Sequence, residues 1–241
     1  MRRHLDLFSG IGGFALAARN VGWNTIGFCE IDLYCQKVLA KNFPGVPIYD
    51  DVRELRGEVI GPVDIITGGF PCQDISVAGK GAGITGERSG LWSELCRIIG
   101  DIRPDFAVME NVTALLGRGL YRVLGDLAEV GYDAEWHCIP ASAVGSPQNR
   151  DRIWIIAHPS GNGVKGLLTR GSISPARSGW ACRQEDLQHV YAAPLEGNSW
   201  PQPIIRRGNN RPPNWVDRIK GLGNAIVPQV AEVIFRAIDD D

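Results

Sequence analysis

The sequence predicts an α/β fold in which a mixed, mostly parallel sheet carries helices on both faces. Short apolar runs, typical of buried strands, alternate along the chain with segments whose apolar residues recur at helical spacing. Several of these runs end in glycines or in ionisable residues. Because ligands bind at the carboxyl ends of the strands in such open sheets, the pattern indicates a site along that edge.

The first predicted strand, His4–Phe8, leads into a glycine turn and then a helix that runs to about Asn20. Glycines at 10 and 12 let a ligand approach the backbone, and the start of the helix offers free N–H groups. The order G-x-G-G departs from the G-x-G-x-x-G fingerprint of dinucleotide sites, so the turn indicates a nucleoside site without deciding its ligand. The next predicted elements are a strand near 25–29, a helix at 32–42, a strand near 47–49 and a strand at 63–67.

Two acidic positions follow the second and third predicted strands. Glu30 ends the second strand, where an acid holds a ribose diol in related nucleotide sites. Asp51 follows the third strand, and it either accepts a hydrogen bond from an adenine amino group or is only an acid of the turn.

The strand at 63–67 leads through Gly68 and Gly69 to Pro71 and Cys72, at the root of a glycine-rich loop. This placement puts a single thiol at the carboxyl end of a strand. The thiol is either a nucleophile or a small apolar residue, since cysteine is often buried.

The chain beyond the glycine-rich loop adds three ionisable residues to the same edge. Glu110 directly follows a predicted strand at 105–109, and Arg150 and Arg152, two residues apart, could address one anion from one face of a strand. The remaining predicted elements are helices at 89–102 and 121–130, strands at 132–138 and 153–157, and a helix that Gly223–Pro228 opens and that runs to about 238.

Composition restricts the class of protein. The 241 residues are 44% hydrophobic and 22% charged, which is typical of a globular domain. The sequence has no stretch of 18 apolar residues, so we expect neither a membrane span nor a secretory signal. Its six cysteines form no Cys-x-x-Cys pair, which argues against zinc and disulfides and favours a reducing cytoplasm.

These segments, in this order, resemble the DNA cytosine-5 methyltransferase family. The resemblance is carried by DLFSGIGGF (6–14), Glu30, GGFPCQDIS (68–76), ENV (110–112), QNRDR (148–152) and GNAIVPQVA (223–231). It implies a Rossmann-like fold, S-adenosylmethionine as methyl donor, S-adenosylhomocysteine as product, no metal, and a cytosine flipped out of double-stranded DNA as acceptor.

The resemblance also assigns roles. It implies that Cys72 is the nucleophile, that Glu110 binds the cytosine ring, and that Arg150 and Arg152 lie near the cytosine and its phosphate. The expected donor-binding residues are Asp6, Phe8, Gly10, Gly12, Glu30, Ile31, Asp51, Pro71, Leu91, Asn224 and Ile226. The expected DNA contacts are Gln73, Ser76, Lys80, Arg88, Arg206, Arg207 and Arg211.

We expect a catalytic domain at 1–158 and 213–241, interrupted by a small loop-rich target-recognition insert at 159–212. Residues 165–220 carry nine basic and four acidic side chains, which suits contact with phosphates. The alternatives are an RNA cytosine-5 methyltransferase of the same fold, a catalytically silent DNA-binding relative, and a nucleotide-dependent oxidoreductase. The expected setting is a cytoplasmic monomer, with a cognate restriction endonuclease as a possible partner.

Overall fold

A computed structural model of the chain describes residues 1–71, 90–146, 150–161 and 215–240. Its strands are β1 Arg3–Leu7, β2 Asn24–Cys29, β3 Ile48–Tyr49, β4 Ile65–Gly68, β5 Phe106–Val112, β6 Tyr132–Pro140 and β7 Asp151–Pro159. Its helices are α1 Gly13–Asn20, α2 Leu33–Asn42, α3 Gly57–Ile60, α4 Gly90–Ile102, α5 Leu115–Arg118, α6 Leu120–Glu129, α7 Trp215–Asn224 and α8 Pro228–Asp239.

The seven strands form one sheet in the order β3-β2-β1-β4-β5-β7-β6. Strands β1 to β5 are mutually parallel where they pair, whereas β7 runs antiparallel to both β5 and β6. The predicted fold class, a mixed and mostly parallel sheet, is therefore confirmed. The order reverses beside β1, because the chain passes outward to β2 and β3 and then returns to β4. Such a reversal opens a crevice at the carboxyl edge of the sheet.

Helices cover both faces of the sheet, as the sequence predicts. On one face, Leu95 and Ile98 of α4 and Val123 of α6 pack in a cluster with Leu5 and Leu7 of β1. On the other face, α1 and α8 pack together over the sheet in a second cluster, which contains Phe14, Ala17, Trp23, Ile234 and Phe235. Since all of these side chains are buried, the first cluster holds β1 and the second holds α1, and together they fix the glycine turn between them.

Two predicted boundaries were wrong. Strand β5 extends three residues beyond Met109, so Glu110 lies within the strand, because antiparallel pairing with β7 continues as far as Val112. Helix α7 was not predicted. Gly223, the predicted start of the last helix, lies in α7, and that last helix, α8, begins only at Pro228. Short helical segments at 57–60, 115–118 and 141–144 were also not predicted.

The predicted insert at 159–212 lies almost entirely outside the described residues, so the domain boundaries stay predictions. Strand β7 ends at Pro159, the first residue of the predicted insert. Within the described ranges, no helix combines the length and the apolar character needed to cross a membrane.

Candidate active site

A cavity of about 1030 Å³ lies at the carboxyl edge of the described sheet. The expected site residues that line it are Phe8, Gly10, Glu30, Ile31, Asp51, Pro71, Leu91, Glu110, Arg150, Arg152 and Asn224. The structure thus brings together residues from eight separate parts of the sequence around one continuous space.

The glycine turn holds one wall of this cavity. Phe8, Gly10 and Gly12 all have positive φ angles, of 54°, 53° and 88°, so the chain reverses tightly between β1 and α1. The hydroxyl of Ser9 donates to the Asp6 carbonyl at 2.6 Å and closes the turn. The turn thereby aims the Gly10 N–H toward the second strand.

The Glu30 carboxylate accepts a hydrogen bond from that N–H. Its Oε2 accepts from Gly10 N at 2.7 Å, and its Oε1 accepts from Asp32 N at 2.8 Å. The side chain is largely buried and has one fixed direction. Each carboxylate oxygen retains a second lone pair, which suits the hydroxyls of a ribose. Next to it, the Ile31 side chain is 68% exposed and lines the cavity as an apolar surface.

Asp51 lines the same half of the cavity, but it already has a partner. Arg53 forms a bidentate ion pair with its carboxylate, with Nε and Nη2 at 2.9 Å and 2.5 Å from the two oxygens. These hydrogen bonds lower the pKa of Asp51 below its usual value. An adenine amino group would therefore share Asp51 with Arg53, a residue that the sequence reasoning missed.

Three of the expected donor-binding residues lie behind the cavity wall. Asp6 is fully buried and accepts from the Thr67 hydroxyl at 2.9 Å. A Cβ at Gly12 would lie 2.8 Å from the Phe43 ring, and a Cβ at Gly13 would lie 2.6 Å from Ile226 Cγ1. Asp6, Gly12 and Ile226 thus support the turn, whereas the cavity is lined by their neighbours.

Glu110 dominates the other half of the cavity. It is 7% exposed, lies opposite Trp154 of β7, and has Arg152 Nε 2.9 Å from its Oε1. That oxygen has no hydrogen bond of regular geometry among the described residues. Burial raises the pKa of Glu110 above its usual value, although the positive charges of Arg152 and Arg150 oppose the shift. The site therefore favours a carboxyl group that can hold a proton.

The neighbouring Asn111 ties β5 to the segment that precedes Cys72. Its Nδ2 donates to the Phe70 carbonyl at 3.1 Å, and the Phe70 ring packs 5.1 Å from the Trp92 ring. These contacts fix the backbone up to Pro71. The sequence reasoning noted Asn111 in the ENV segment but gave it no role.

Arg150 spans the two halves of the site. Its Nη1 donates to the Gly223 carbonyl at 2.9 Å, so the residue contacts the end of α7. Desolvation, and then the charge of Arg152, lower the pKa of Arg150. Two positively charged arginine side chains so close together would favour the binding of an anion in the cavity.

The remaining expected site residues lie outside the described residues: Cys72, Gln73, Ser76, Lys80, Arg88, Arg206, Arg207 and Arg211. Among the cysteines that the structure does describe, burial raises the pKa of Cys29 and Cys35 to about 12 and that of Cys96 to about 11. These three thiols therefore stay protonated near neutral pH. Within the same ranges, no group of three side chains could hold a metal ion.

The chain is similar to known proteins in both sequence and fold. A sequence model of the C-5 cytosine-specific DNA methylase family matches residues 2–189. Similar curated proteins include Type II methyltransferase M2.BsuMI of Bacillus subtilis, 40% identical over 161 residues (64% of this chain, 41% of that protein). Type II methyltransferase M.HpaII of Haemophilus parainfluenzae is 38% identical over 168 residues (66% and 47%).

Among solved structures, Spodoptera frugiperda DNMT2 (an E260A/E261A/K263A mutant) is 25% identical, with a TM-score of 0.58, over 68% of this chain and 51% of that one. Dnmt2 of S. pombe, 17% identical with a TM-score of 0.59 over 75% and 59%, shares the fold. The open, mostly parallel sheet with helices on both faces is a fold of the Rossmann-like class. The chain belongs to the C-5 cytosine-specific DNA methylase family. It spans about half the length of the curated relatives that it matches.

Proposed function

We propose that the protein is a DNA cytosine-5 methyltransferase that uses S-adenosylmethionine. The observation that carries the proposal is the pairing of two carboxyl sites in one cavity. Glu30, which accepts two backbone hydrogen bonds, faces the same space as Glu110, which is buried beside Arg152. The first suits a nucleoside, and the second suits a ring nitrogen that must receive a proton.

The residues in the half of the cavity around Glu30 and Asp51 fit the methyl donor. Glu30 would hold the ribose hydroxyls, Asp51 the adenine amine and Ile31 one face of the adenine, while Asn224 lines the cavity from the end of α7. When bound there, the donor supplies an electrophilic methyl group. The carboxylates around it suit its positive sulfonium centre.

The residues in the half of the cavity around Glu110 fit the cytosine acceptor. C5 of cytosine is a poor nucleophile, and addition of the Cys72 thiolate to C6 makes it an enamine carbon. Glu110 gives its proton to ring N3 as that C6–S bond forms, which removes the negative charge that would develop on the ring. After methyl transfer, loss of the C5 proton to a base and return of the N3 proton to Glu110 let the C6–S bond break, which releases Cys72 as the thiolate. Arg152, beside Glu110, would hold the cytosine, and Arg150 its phosphate.

A base inside a duplex hides C6, so the acceptor must leave the stack, at a cost of a few kcal/mol. Gln73, Ser76, Lys80 and Arg88 would contact DNA beside the site. The insert at 159–212, through Arg206, Arg207 and Arg211, would choose the sequence. The proposed setting is a monomer in the cytoplasm that acts on double-stranded DNA, with a restriction endonuclease as a possible partner.

A methyl-transfer assay with labelled donor tests the proposal. Wild-type protein should label duplex DNA at cytosine C5, and Cys72→Ser should abolish labelling because a hydroxyl is a far weaker nucleophile near neutral pH. Donor binding, which the Gly10 turn and Glu30 carry, should survive in that variant. Residual turnover within about tenfold of wild type would refute the nucleophile assignment.

Two further substrates separate the alternatives. Duplex DNA that contains 5-fluorocytosine should trap a covalent adduct, because fluorine cannot leave as a proton, and the adduct should persist on a denaturing gel. RNA of the same sequence should remain unlabelled. Labelling of RNA in preference to DNA would support the RNA methyltransferase instead.

A further inference from the structure

Helix α7 reaches the cavity from a distant part of the sequence and contacts both of its halves. Lys220 Nζ lies 2.7 Å from Asp32 Oδ2, a residue 188 positions earlier. The next residue, Gly221, packs so closely that a Cβ there would lie 3.1 Å from Ile11 Cγ2. At the end of the helix, Gly223 accepts the hydrogen bond from Arg150. The described part of α7 is thus a wall of the cavity and not a remote support.

Asp32 joins this wall to the loop that aims Glu30. Its Oδ1 caps α2 by accepting from Tyr34 N at 3.0 Å and Cys35 N at 3.2 Å, which leaves Oδ2 for Lys220. Its own backbone N–H donates to Glu30 Oε1 at 2.8 Å. Asp32 therefore pairs with Lys220, caps α2 and orients the carboxylate of Glu30, which is expected to hold the ribose.

The exposure of Lys220 and Asp32 indicates whether their ion pair affects the stability of the fold or the cavity. The side chains of Lys220 and Asp32 are 62% and 29% exposed. Ion pairs this exposed add little to the stability of a folded chain. Both residues nevertheless line the cavity. Their hydrogen bond lowers the pKa of Asp32 and raises that of Lys220, so the pair stays ionised at neutral pH.

We propose that Lys220 and Asp32 are positioning residues that close the donor half of the cavity. Their ion pair holds α7 against the loop that carries Glu30, so that a bound donor is retained until the pair opens. This inference rests on the proposed function, because it takes S-adenosylmethionine to be the occupant. It predicts that breaking the pair speeds donor release while the protein stays folded.

Stopped-flow and calorimetric binding of S-adenosylmethionine to the full chain tests the proposal. Lys220→Met and Asp32→Asn should each raise the dissociation rate constant of the donor about 2- to 5-fold, the range for an exposed ion pair. Asparagine is as good a helix cap as aspartate, so Asp32→Asn removes the charge and keeps the start of α2. Lys220→Arg should restore wild-type release. Lys41→Met, which removes an exposed lysine near the end of α2, is the matched control and should change nothing.

Two readouts separate this role from a structural one. The double variant should release the donor no faster than either single variant, because both remove the same interaction. At 0.5 M NaCl the difference between wild type and Lys220→Met should shrink, because salt screens exposed charges. Thermal unfolding of each variant, measured in parallel, should differ little from wild type.

The outcomes distinguish the inference from the function on which it rests. If the wild-type chain binds no S-adenosylmethionine, the proposed function fails. If wild type binds the donor but Lys220→Met releases it at the wild-type rate at low salt, the inference is overturned. Additive effects in the double variant, or no recovery in Lys220→Arg, would also overturn it.

Discussion

Gly13→Ala tests whether the glycine turn is needed for close packing. Gly13 begins α1 and is absent from the described residues with positive φ, so alanine meets no backbone strain there. A Cβ at this position would nevertheless lie 2.6 Å from Ile226 Cγ1 and 3.5 Å from the Ile226 carbonyl oxygen. Real Cβ contacts do not reach 2.6 Å, so the Ile226 side chain, or the backbone that carries it, must move.

Two opposing effects set the change in fold stability that Gly13→Ala should cause. Alanine is better than glycine in a helix by roughly 1 kcal/mol, while overpacking of this kind costs about 1–3 kcal/mol. The stability of the fold should therefore change by less than about 2 kcal/mol. Ile226 lies two residues from Asn224, which lines the cavity, so we expect the strain to weaken donor binding. A loss of ~1–2 kcal/mol there corresponds to a donor Kd about 5- to 30-fold weaker.

Calorimetric titration with S-adenosylmethionine measures this effect, and two variants control it. Gly125→Ala adds the same methyl group in the middle of α6 with nothing within 4 Å, so it should leave the affinity unchanged and slightly stabilise the fold. Gly13→Ala combined with Ile226→Ala should recover part of the lost affinity, because Cγ1 is gone. If Gly13→Ala binds the donor as Gly125→Ala does, the steric reasoning is wrong.

Two other predictions concern titrating groups. Glu110→Gln should lower methyl transfer about 10²- to 10⁴-fold, with donor affinity unchanged, because an amide cannot supply the N3 proton. Since burial raises the pKa of Glu110, the protonated form persists above the usual range and disappears as pH rises, so the alkaline limb of the wild-type rate profile should report this group. Burial lowers the pKa of His4 from 6.5 to about 3, so its stabilising contribution is present above pH 6.5 and is lost as pH falls. Between pH 7 and pH 5, urea unfolding should show wild type losing about 2 kcal/mol more than His4→Gln, and equal losses would contradict this reasoning.

The sequence predicted the parts of the site that depend on local patterns. An apolar run followed by glycines places the turn at Gly10, and an acid directly after the second strand identifies Glu30. Both are determined by residues adjacent in sequence, and the structure has them at the carboxyl edge of the sheet. The Arg53 partner of Asp51 lies only two residues away, yet a flexible, exposed arginine gives no sequence signal of where its side chain goes.

Other features depend on pairing between distant segments. The extension of β5 through Glu110 follows from its antiparallel register with β7, which a pattern of single residues does not encode. Helix α7 contains Gly221 and Gly223, which argue against a helix, and it is stabilised by contacts with Ile11, Asp32 and Arg150. Such long-range contacts override local propensity.

The cavity also shows how one residue type can serve two opposite purposes. Glu30 accepts hydrogen bonds from two backbone N–H groups, which fix its direction and leave lone pairs for further donors. Glu110 is buried in β5, and burial raises its pKa despite a nearby arginine, which favours a carboxyl group that donates. A nucleoside hydroxyl needs the first kind of partner, and a ring nitrogen that gains a proton needs the second. Under the proposed function, the two environments would orient the cavity, with the nucleoside of the donor at Glu30 and the base to be modified at Glu110.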